Sequence, residues 1–203
     1  MMARTGEFLC KIFNTVNPDL EVNKRARRFK HLLLSLLLPA VFISGLAQAE
    51  PVIWTGLVNT SASGNTLTKT GGGTKWNAEG ISQQVINGDG WVEFTLTSIG
   101  TCHAAGLSYV NNGTTWGSID YTIMFCANDK AKIYEAGTYR GTFDPYQVGD
   151  VFRVERTGNT ITYLKNGSVF YTSTVPTVDG STLFLDTSLH TPGVQVANAI
   201  ILQ

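Results

Sequence analysis

The chain is poor in the residues that most chemical sites require. Beyond residue 49 it has two cysteines, Cys102 and Cys126, and two histidines, His103 and His190, with no Cys-x-x-Cys pair. A structural zinc site needs about four such ligands at short spacing, so we predict no metal site. The same region lacks an apolar run of the roughly 20 residues that cross a bilayer, and helical periodicity is almost absent. These absences indicate a β-rich domain without a stable membrane span.

The chain also lacks an excess of basic over acidic residues. The whole chain is formally neutral, with 15 basic and 15 acidic residues. Residues 1–49 hold seven of the basic and three of the acidic residues, which leaves 8 basic and 12 acidic residues beyond them. A domain with this negative balance has no basic footprint for nucleic acid or for an anionic membrane surface. We therefore predict no nucleic-acid partner.

Residues 1–49 have the organisation of an export signal. A basic run precedes an apolar run over 32–46, and the small residues Ala47 and Ala49 follow at the spacing of a cleavage site. The apolar run has 15 residues, which is short for a retained anchor. We predict a cleavable leader over 1–49, cleavage after Ala49, and one secreted or periplasmic domain over 50–203.

The two remaining cysteines are expected to pair in an oxidising compartment. Strands predicted over 104–110 and 119–126 flank a polar loop, and in the simplest antiparallel register facing residue numbers sum to about 228. Cys102 and Cys126 satisfy that sum, so we predict a disulfide between neighbouring strands. Two free thiols are the alternative.

Short strands separated by turn residues fill the predicted domain. Over 91–97, Val92, Phe94 and Leu96 alternate with other residues, which indicates a strand with one buried face. About a dozen such strands at turn spacings favour an all-β fold, namely a two-sheet antiparallel β-sandwich.

A three-stranded meander over 151–173 is the clearest of these patterns. Asn166 and Gly167 suit the positive backbone angles of a type I′ turn between its last two strands. That turn predicts a register in which Tyr163 lies opposite Phe170.

The meander and an earlier strand carry a recognisable order of turn and strand residues: Gly106, Leu107, Ser108, then Gly149, Asp150, Phe152, Val154, Asn159, Thr160, Ile161, Lys165, Asn166 and Gly167. In this order the chain resembles the concanavalin A-like lectin and glucanase superfamily, especially its SPRY-type β-sandwiches. The resemblance implies a jelly-roll sandwich that binds sugars, peptides or proteins through end loops or a concave sheet face. Other members of the superfamily are glycan hydrolases or lyases, so a glycan-active enzyme is the alternative function.

Ligand-binding candidates are aromatic and polar residues on predicted loops. Sugar recognition stacks an aromatic ring on a pyranose face and adds a few polar hydrogen bonds. Trp54 and Trp91 fall within predicted strands, and we assign them to the fold. The predicted ligand-binding residues are Trp76, Asn77, Asn111, Asn112, Trp116, Asp144 and Tyr146.

The sequence offers little for catalysis. The Glu-x-Asp-x-x-Glu spacing of the sandwich hydrolases is absent, and Glu93, Glu135 and Glu155 are isolated carboxylates in sequence. We predict no catalytic residue. A polysaccharide lyase that uses Tyr139, Arg140 and a histidine is the remaining enzymatic alternative.

No cofactor is predicted. Asp89 and Asp144 are the candidate calcium ligands, because both lie on predicted loops. They lack the Asp-x-Asp ladder of a calcium site and suit turns better. The sequence thus predicts a non-catalytic, lectin-like module whose partner is a carbohydrate or another cell-surface ligand. A structural or adhesive domain with a protein partner is the third possibility.

Overall fold

Strands dominate the computed structural model, which describes residues 47–126 and 128–203 apart from the Asp144 side chain. The predicted leader up to residue 46 lies outside the described residues. One 3-10 turn at Trp116–Ser118 is the helical element of the described part, and no helix there could span a membrane. The strands are β1 (Glu50–Pro51), β2 (Trp54–Val58), β3 (Thr60–Ser63), β4 (Thr66–Lys69), β5 (Glu79–Ser82), β6 (Gly90–Thr95), β7 (His103–Ser108), β8 (Tyr121–Phe125), β9 (Lys130–Glu135), β10 (Thr138–Pro145), β11 (Val151–Thr157), β12 (Thr160–Lys165), β13 (Ser168–Thr172), β14 (Phe184–Leu189) and β15 (Gln195–Leu202).

The strands pair into two antiparallel sheets. The eight-stranded sheet runs in the order β13-β12-β11-β6-β15-β4-β3, and β1 pairs with β15. The seven-stranded sheet runs in the order β10-β9-β8-β7-β14-β5-β2. This arrangement confirms the predicted two-sheet antiparallel sandwich.

The core lies between the sheets and follows the period-two alternation of the strands. Val92, Phe94 and Leu96 are at most 1% exposed, as the sequence pattern predicts. From the opposite sheet, Phe125 of β8 meets Phe94 and its neighbour Phe152 of β11, with ring centroids 6.0 and 4.7 Å away.

The meander forms with its predicted turn but with a shifted register. Asn166 and Gly167 both have positive φ, 50° and 78°, as a type I′ turn requires. Tyr163 pairs with Tyr171, however, so the predicted pairing with Phe170 is wrong. The reason is a β-bulge after the turn, which leaves Phe170 as the extra residue and turns its ring onto Phe143 and Phe152.

The predicted disulfide is present. Cys102 and Cys126 are bonded, with their Cα atoms 4.1 Å apart, directly before β7 and directly after β8. His103 pairs with Phe125 in the adjoining ladder, which is the register expected from the sequence.

Candidate functional site

The seven-stranded sheet has an outer face, turned away from the second sheet, that carries a small apolar cluster of its own. On β7 and β8, Ala105 and Ile123 join the main core, whereas Ala104 and Met124 form a separate cluster with Ile119. Because neighbouring side chains of a strand point to opposite faces, this second cluster lies on the outer face.

Three aromatic rings lie next to one another on this outer face, and we call them the aromatic strip: Trp116, Tyr134 and Tyr139. The ring centroids are 4.6 Å apart for Trp116 and Tyr134, and 5.4 Å apart for Tyr134 and Tyr139. The two tyrosines face each other across β9 and β10, while the 3-10 turn delivers Trp116. Tyr139 is 53% exposed and the other two rings are half-buried. The strip therefore presents ring surface to solvent.

Polar groups flank the aromatic strip. Lys132 lies two residues before Tyr134 on β9 and therefore on the same face, directly opposite Thr142 on β10. The Tyr139 hydroxyl lies 2.7 Å from the Thr142 hydroxyl. An ammonium group and two hydroxyls are thus available beside the rings for hydrogen bonds to a ligand.

Trp76 reaches the same outer cluster from a glycine-rich loop over 70–77. Its ring packs against the cluster and lies with its centroid 5.0 Å from the His190 ring. Together with Trp116 it covers the apolar cluster from two different loops. Two of the predicted ligand-binding residues therefore meet on one face of the sandwich.

A buried lysine holds the loop that carries Trp76. Lys69 is 1% exposed, and its ammonium donates to the carbonyl oxygens of Lys75 and Leu189 and to the side-chain oxygen of Asn77, at 2.6 to 2.9 Å. Burial lowers the pKa of this lysine. The Asn77 amide also donates to the Gly72 carbonyl. Asn77 thus organises the loop, and both ends of its side chain are used inside the protein.

Two carboxyls lie buried on the outer face beneath the loop that follows β7. Asp186 is fully buried and accepts a hydrogen bond of 2.7 Å from the Ser108 hydroxyl. Glu79 on the adjacent strand is 5% exposed and accepts from the Asn111 amide at 3.2 Å. Each carboxyl keeps one oxygen without a hydrogen-bond partner among the described residues. Neither is accessible to a bound substrate in this conformation.

Burial raises the pKa of Asp186 to about 7, with a further contribution from the negative charge of Glu79. The hydrogen bond from Ser108 opposes this shift, because it favours the ionised carboxylate. A carboxyl with such a pKa carries a proton during much of its time near neutral pH. Burying the Asp186 carboxyl therefore costs the folded protein free energy.

The other predicted ligand-binding residues have varied positions. The prediction that Tyr146 belongs to the binding surface is wrong: the residue is 5% exposed, its ring packs on Phe125, and its hydroxyl donates to the Cys126 carbonyl. The reason is that the segment after β10 folds inward and uses the ring to close the core. Asn111 binds Glu79, Asn112 is exposed, and the Asp144 side chain lies outside the described residues.

Tyr134 and Lys132 are candidate site residues that the sequence did not indicate, and Tyr139 was predicted only as part of the lyase alternative, not as a ligand-binding residue. The signal was the alternation over 130–135, in which Ala131, Ile133 and Glu135 point inward. Register shifts in β10 obscure the matching pattern on its partner strand. The aromatic strip could therefore be recognised only from the pairing of β9 with β10.

The described residues contain no group of three or more metal-ligating side chains. Asp89, considered as a calcium ligand, accepts a hydrogen bond of 2.6 Å from the Gly158 amide. It thus ties two turns together, which agrees with its interpretation as a turn residue.

Comparisons with known proteins identify the fold through structure alone. No protein-family model matches the chain, and no curated protein matches it in sequence. The SPRY domain of human HERC1 is similar at 17% identity and a TM-score of 0.51, over 77% of this chain and 98% of that one. The metal-free carbohydrate recognition domain of Emp46p is similar at 11% identity and a TM-score of 0.52, over 73% and 87% of the two chains.

A third similar structure is the exoplasmic/lumenal domain of VIP36 bound to Ca²⁺ and Man2. It matches at 9% identity and a TM-score of 0.51, over 74% of this chain and 80% of that one. All three are two-sheet sandwiches, as is this chain. The sequence resemblance is thereby confirmed at the level of the fold: the chain is a concanavalin A-like β-sandwich of the kind found in SPRY domains and lectin carbohydrate recognition domains.

Proposed function

We propose that the protein is a secreted or periplasmic, non-catalytic module that binds carbohydrate through the aromatic strip. The observation that carries the proposal is the contact among Trp116, Tyr134 and Tyr139 on the solvent side of the sheet. Sugar ligands stack their apolar ring faces on aromatic side chains and bond their hydroxyls to polar groups at the rim. Lys132 and Thr142 supply that rim.

The angles between the rings favour an extended ligand. The planes of Trp116 and Tyr134 are inclined by 57°, and those of Tyr134 and Tyr139 by 54°. Neighbouring rings do not share a plane, so each neighbour would contact a different sugar unit. An oligosaccharide therefore fits the strip better than a single monosaccharide.

The structural neighbours support a binding role. The carbohydrate recognition domain of Emp46p and the Man2-bound domain of VIP36 share this fold. The buried state of Glu79 and Asp186 argues against hydrolysis, since a glycosidase must bring two carboxyls to the scissile bond.

Export is part of the proposal. The sequence over 1–49 has the pattern of a leader, and the Cys102–Cys126 disulfide is typical of an oxidising compartment. Mass spectrometry of the exported protein should find Glu50 at the N-terminus. An exported form that retains the leader would contradict this part of the proposal.

A matched pair of tryptophan variants tests the binding site. A glycan array first identifies a ligand, and calorimetry then compares Trp116→Ala with Trp91→Ala, which removes a half-buried tryptophan from the opposite sheet. We expect Trp116→Ala to cost about 1 to 3 kcal/mol of binding free energy. Trp91→Ala should leave affinity within about twofold of the unaltered protein, which is less than 0.5 kcal/mol.

Two outcomes would contradict the proposal. Equal loss in both tryptophan variants would mean that binding does not use the strip. Release of reducing sugar from mixed polysaccharides would identify an enzyme. Tyr139→Ala serves as a second variant, because the exposed ring contributes little to folding.

A further inference from the structure

A cavity of about 270 Å³ opens at the end of the sandwich, apart from the aromatic strip. Glu135 and Thr138 line it from the inward faces of β9 and β10, whose outward faces carry Tyr134 and Tyr139. Val178, which is 64% exposed, also lines the cavity, so the space is continuous with solvent. Its volume is near the lower end for small-molecule pockets and suits one side chain or one small molecule.

Two tyrosines form fixed walls of this cavity. The hydroxyls of Tyr109 and Tyr121 lie 3.1 Å apart. Tyr121 donates to the Pro176 carbonyl at 3.1 Å, and the Val178 amide donates to the Tyr109 hydroxyl at 3.0 Å. These bonds tie the loop after β13 to the wall, so the hydroxyls are satisfied without a ligand. Tyr121 is 3% exposed, so the half-buried Tyr109 ring and the apolar loop residues remain as the contact surface.

The charges around the cavity do not balance. Glu135 is 1% exposed, lies 2.9 Å from the Arg140 Nε in an ion pair whose geometry falls short of a hydrogen bond, and accepts from the Tyr163 hydroxyl at 3.2 Å. Arg140 and Glu135 therefore neutralise each other. The Asp120 carboxyl has no cationic partner among the described residues and accepts one hydrogen bond, which is 2.9 Å long and comes from the Tyr109 amide. The cavity thus keeps one unopposed carboxyl beside two aromatic rings.

We propose that this cavity binds the cationic side chain of a lysine or arginine from a peptide or protein ligand. Asp120 would supply the counter-charge, and the half-buried Tyr109 ring would supply an aromatic face, which attracts alkylammonium and guanidinium groups. The apolar stem of the side chain would pack on Pro176 and Val178.

An anionic ligand fits the same cavity poorly. Among the described residues that line it, Arg140 is the one cation, and this arginine already compensates the buried Glu135. Withdrawing it toward an anion would leave Glu135 as an uncompensated buried charge, which is strongly destabilising. The anion would also lie beside Asp120. Burial raises the pKa of Asp120, and a bound cation would offset that desolvation.

The proposal is tested by titration of the purified protein with blocked amino acids, followed by amide chemical shifts. The probes are the Nα-acetyl N-methylamides of lysine and arginine, with norleucine as the neutral control of similar shape and glutamate as the anion. We expect saturable shifts at Ala136 and Val178 with both cations and none with norleucine or glutamate. Norleucine or glutamate binding as tightly as lysine would overturn the proposal, as would the absence of saturable shifts with both cations.

Two kinds of variant locate the site. Asp120→Asn removes the charge and keeps an acceptor for the Tyr109 amide, and it should weaken cation binding at least tenfold. Glu155→Gln makes the same change of charge on the other sheet and should have no effect. An Asp120→Asn protein that binds like the unaltered one would overturn the proposal.

A second pair covers the case in which Asp120→Asn fails to fold. Val178→Trp fills the cavity mouth and should abolish binding. Val148→Trp alters another exposed turn valine, 56% exposed, and should leave binding intact. Binding that survives Val178→Trp would equally overturn the assignment. Because the glycan-array test uses the aromatic strip, failure of either proposal can be recognised separately.

Discussion

The outer faces of the two sheets are built in opposite ways. On the eight-stranded sheet, the Arg153 guanidinium lies 3.9 Å above the Trp91 ring and pairs with Glu93 at 2.8 Å and Glu155 at 3.3 Å. Each of these groups has its partner either on the neighbouring strand or two residues away on the same strand. On the seven-stranded sheet no cation covers the rings of the aromatic strip among the described contacts.

The two faces differ in whether their charged and aromatic groups are paired with one another. The Arg153 ladder occupies its aromatic ring and pairs its charges internally, so it has little left to offer a ligand. The outer face of the seven-stranded sheet keeps the exposed Tyr139 ring, two half-buried rings, and two buried carboxyls that each have one oxygen without a described hydrogen-bond partner. Buried polar groups that are costly to desolvate and are not needed for packing occur more often at functional sites than elsewhere in a protein. This contrast supports the proposal that the binding site lies on the seven-stranded sheet.

Removing the buried lysine should have the largest effect on stability. Lys69→Ala leaves the carbonyls of Lys75 and Leu189 and the Asn77 side chain without their donor. We expect a loss of about 2 to 4 kcal/mol in the free energy of unfolding, because unsatisfied buried acceptors cost about 1 to 3 kcal/mol each. Urea unfolding measures it. A loss no larger than that of an exposed lysine, such as Lys130→Ala, would show that the loop does not depend on this group.

Neutralising the buried aspartate should stabilise the protein at high pH. Since the folded pKa of Asp186, about 7, exceeds its ordinary 3.8, the unfolded chain releases this proton first and stability falls as pH rises between these values. Asp186→Asn removes that fall, and we expect a gain of about 1 to 3 kcal/mol at pH 8.

His103 makes a second pH-dependent contribution to the free energy of unfolding, which the same variant can reveal. Burial lowers the pKa of His103 to about 4, so between about pH 4 and pH 6.5 the unfolded state binds more protons and stability rises with pH. In the unaltered protein this rise opposes the Asp186 effect. Urea unfolding across this range should show a steeper rise in Asp186→Asn, and identical pH profiles for the two proteins would contradict the assignment.

The Arg153 ladder should give the smallest effect. Arg153→Ala removes two partly exposed ion pairs and one cation–π contact. Exposed pairs contribute at most about 1 kcal/mol each, so we expect a loss of about 1 kcal/mol in urea unfolding and no change in glycan affinity. A loss of affinity in this variant would break the distinction between the two faces.

Local turn chemistry accounts for the parts that could be read from the sequence. Asn166 and Gly167 fix a hairpin, and the Cys102–Cys126 pair follows from counting residues about one loop. The sandwich, its disulfide and the buried face of β6 were all predictable on these grounds. The bulge at Phe170 was not, because a ring that gains core packing can move a register that the turn alone would set.

The site was less predictable because it depends on strand pairing across the sheet. Trp76 and Trp116 could be selected as aromatics on polar loops, and they do meet on one face. Tyr146 has the same local features, yet its loop folds inward. Whether a loop aromatic closes the core or faces solvent is decided by residues distant in sequence. Tyr134 and Tyr139 join the site for the same kind of reason, through the pairing of β9 with β10.

The most direct test of the account follows the tryptophan indoles during glycan titration. The chain has four tryptophans, one of them on the Arg153 face and two beside the outer cluster of the other sheet. Their indole N–H resonances can be assigned with single Trp→Phe variants. Addition of an array-identified glycan should shift the Trp116 resonance and leave Trp91 in place. A shift of Trp91 with Trp116 unmoved would contradict the claim that the seven-stranded sheet carries the binding site.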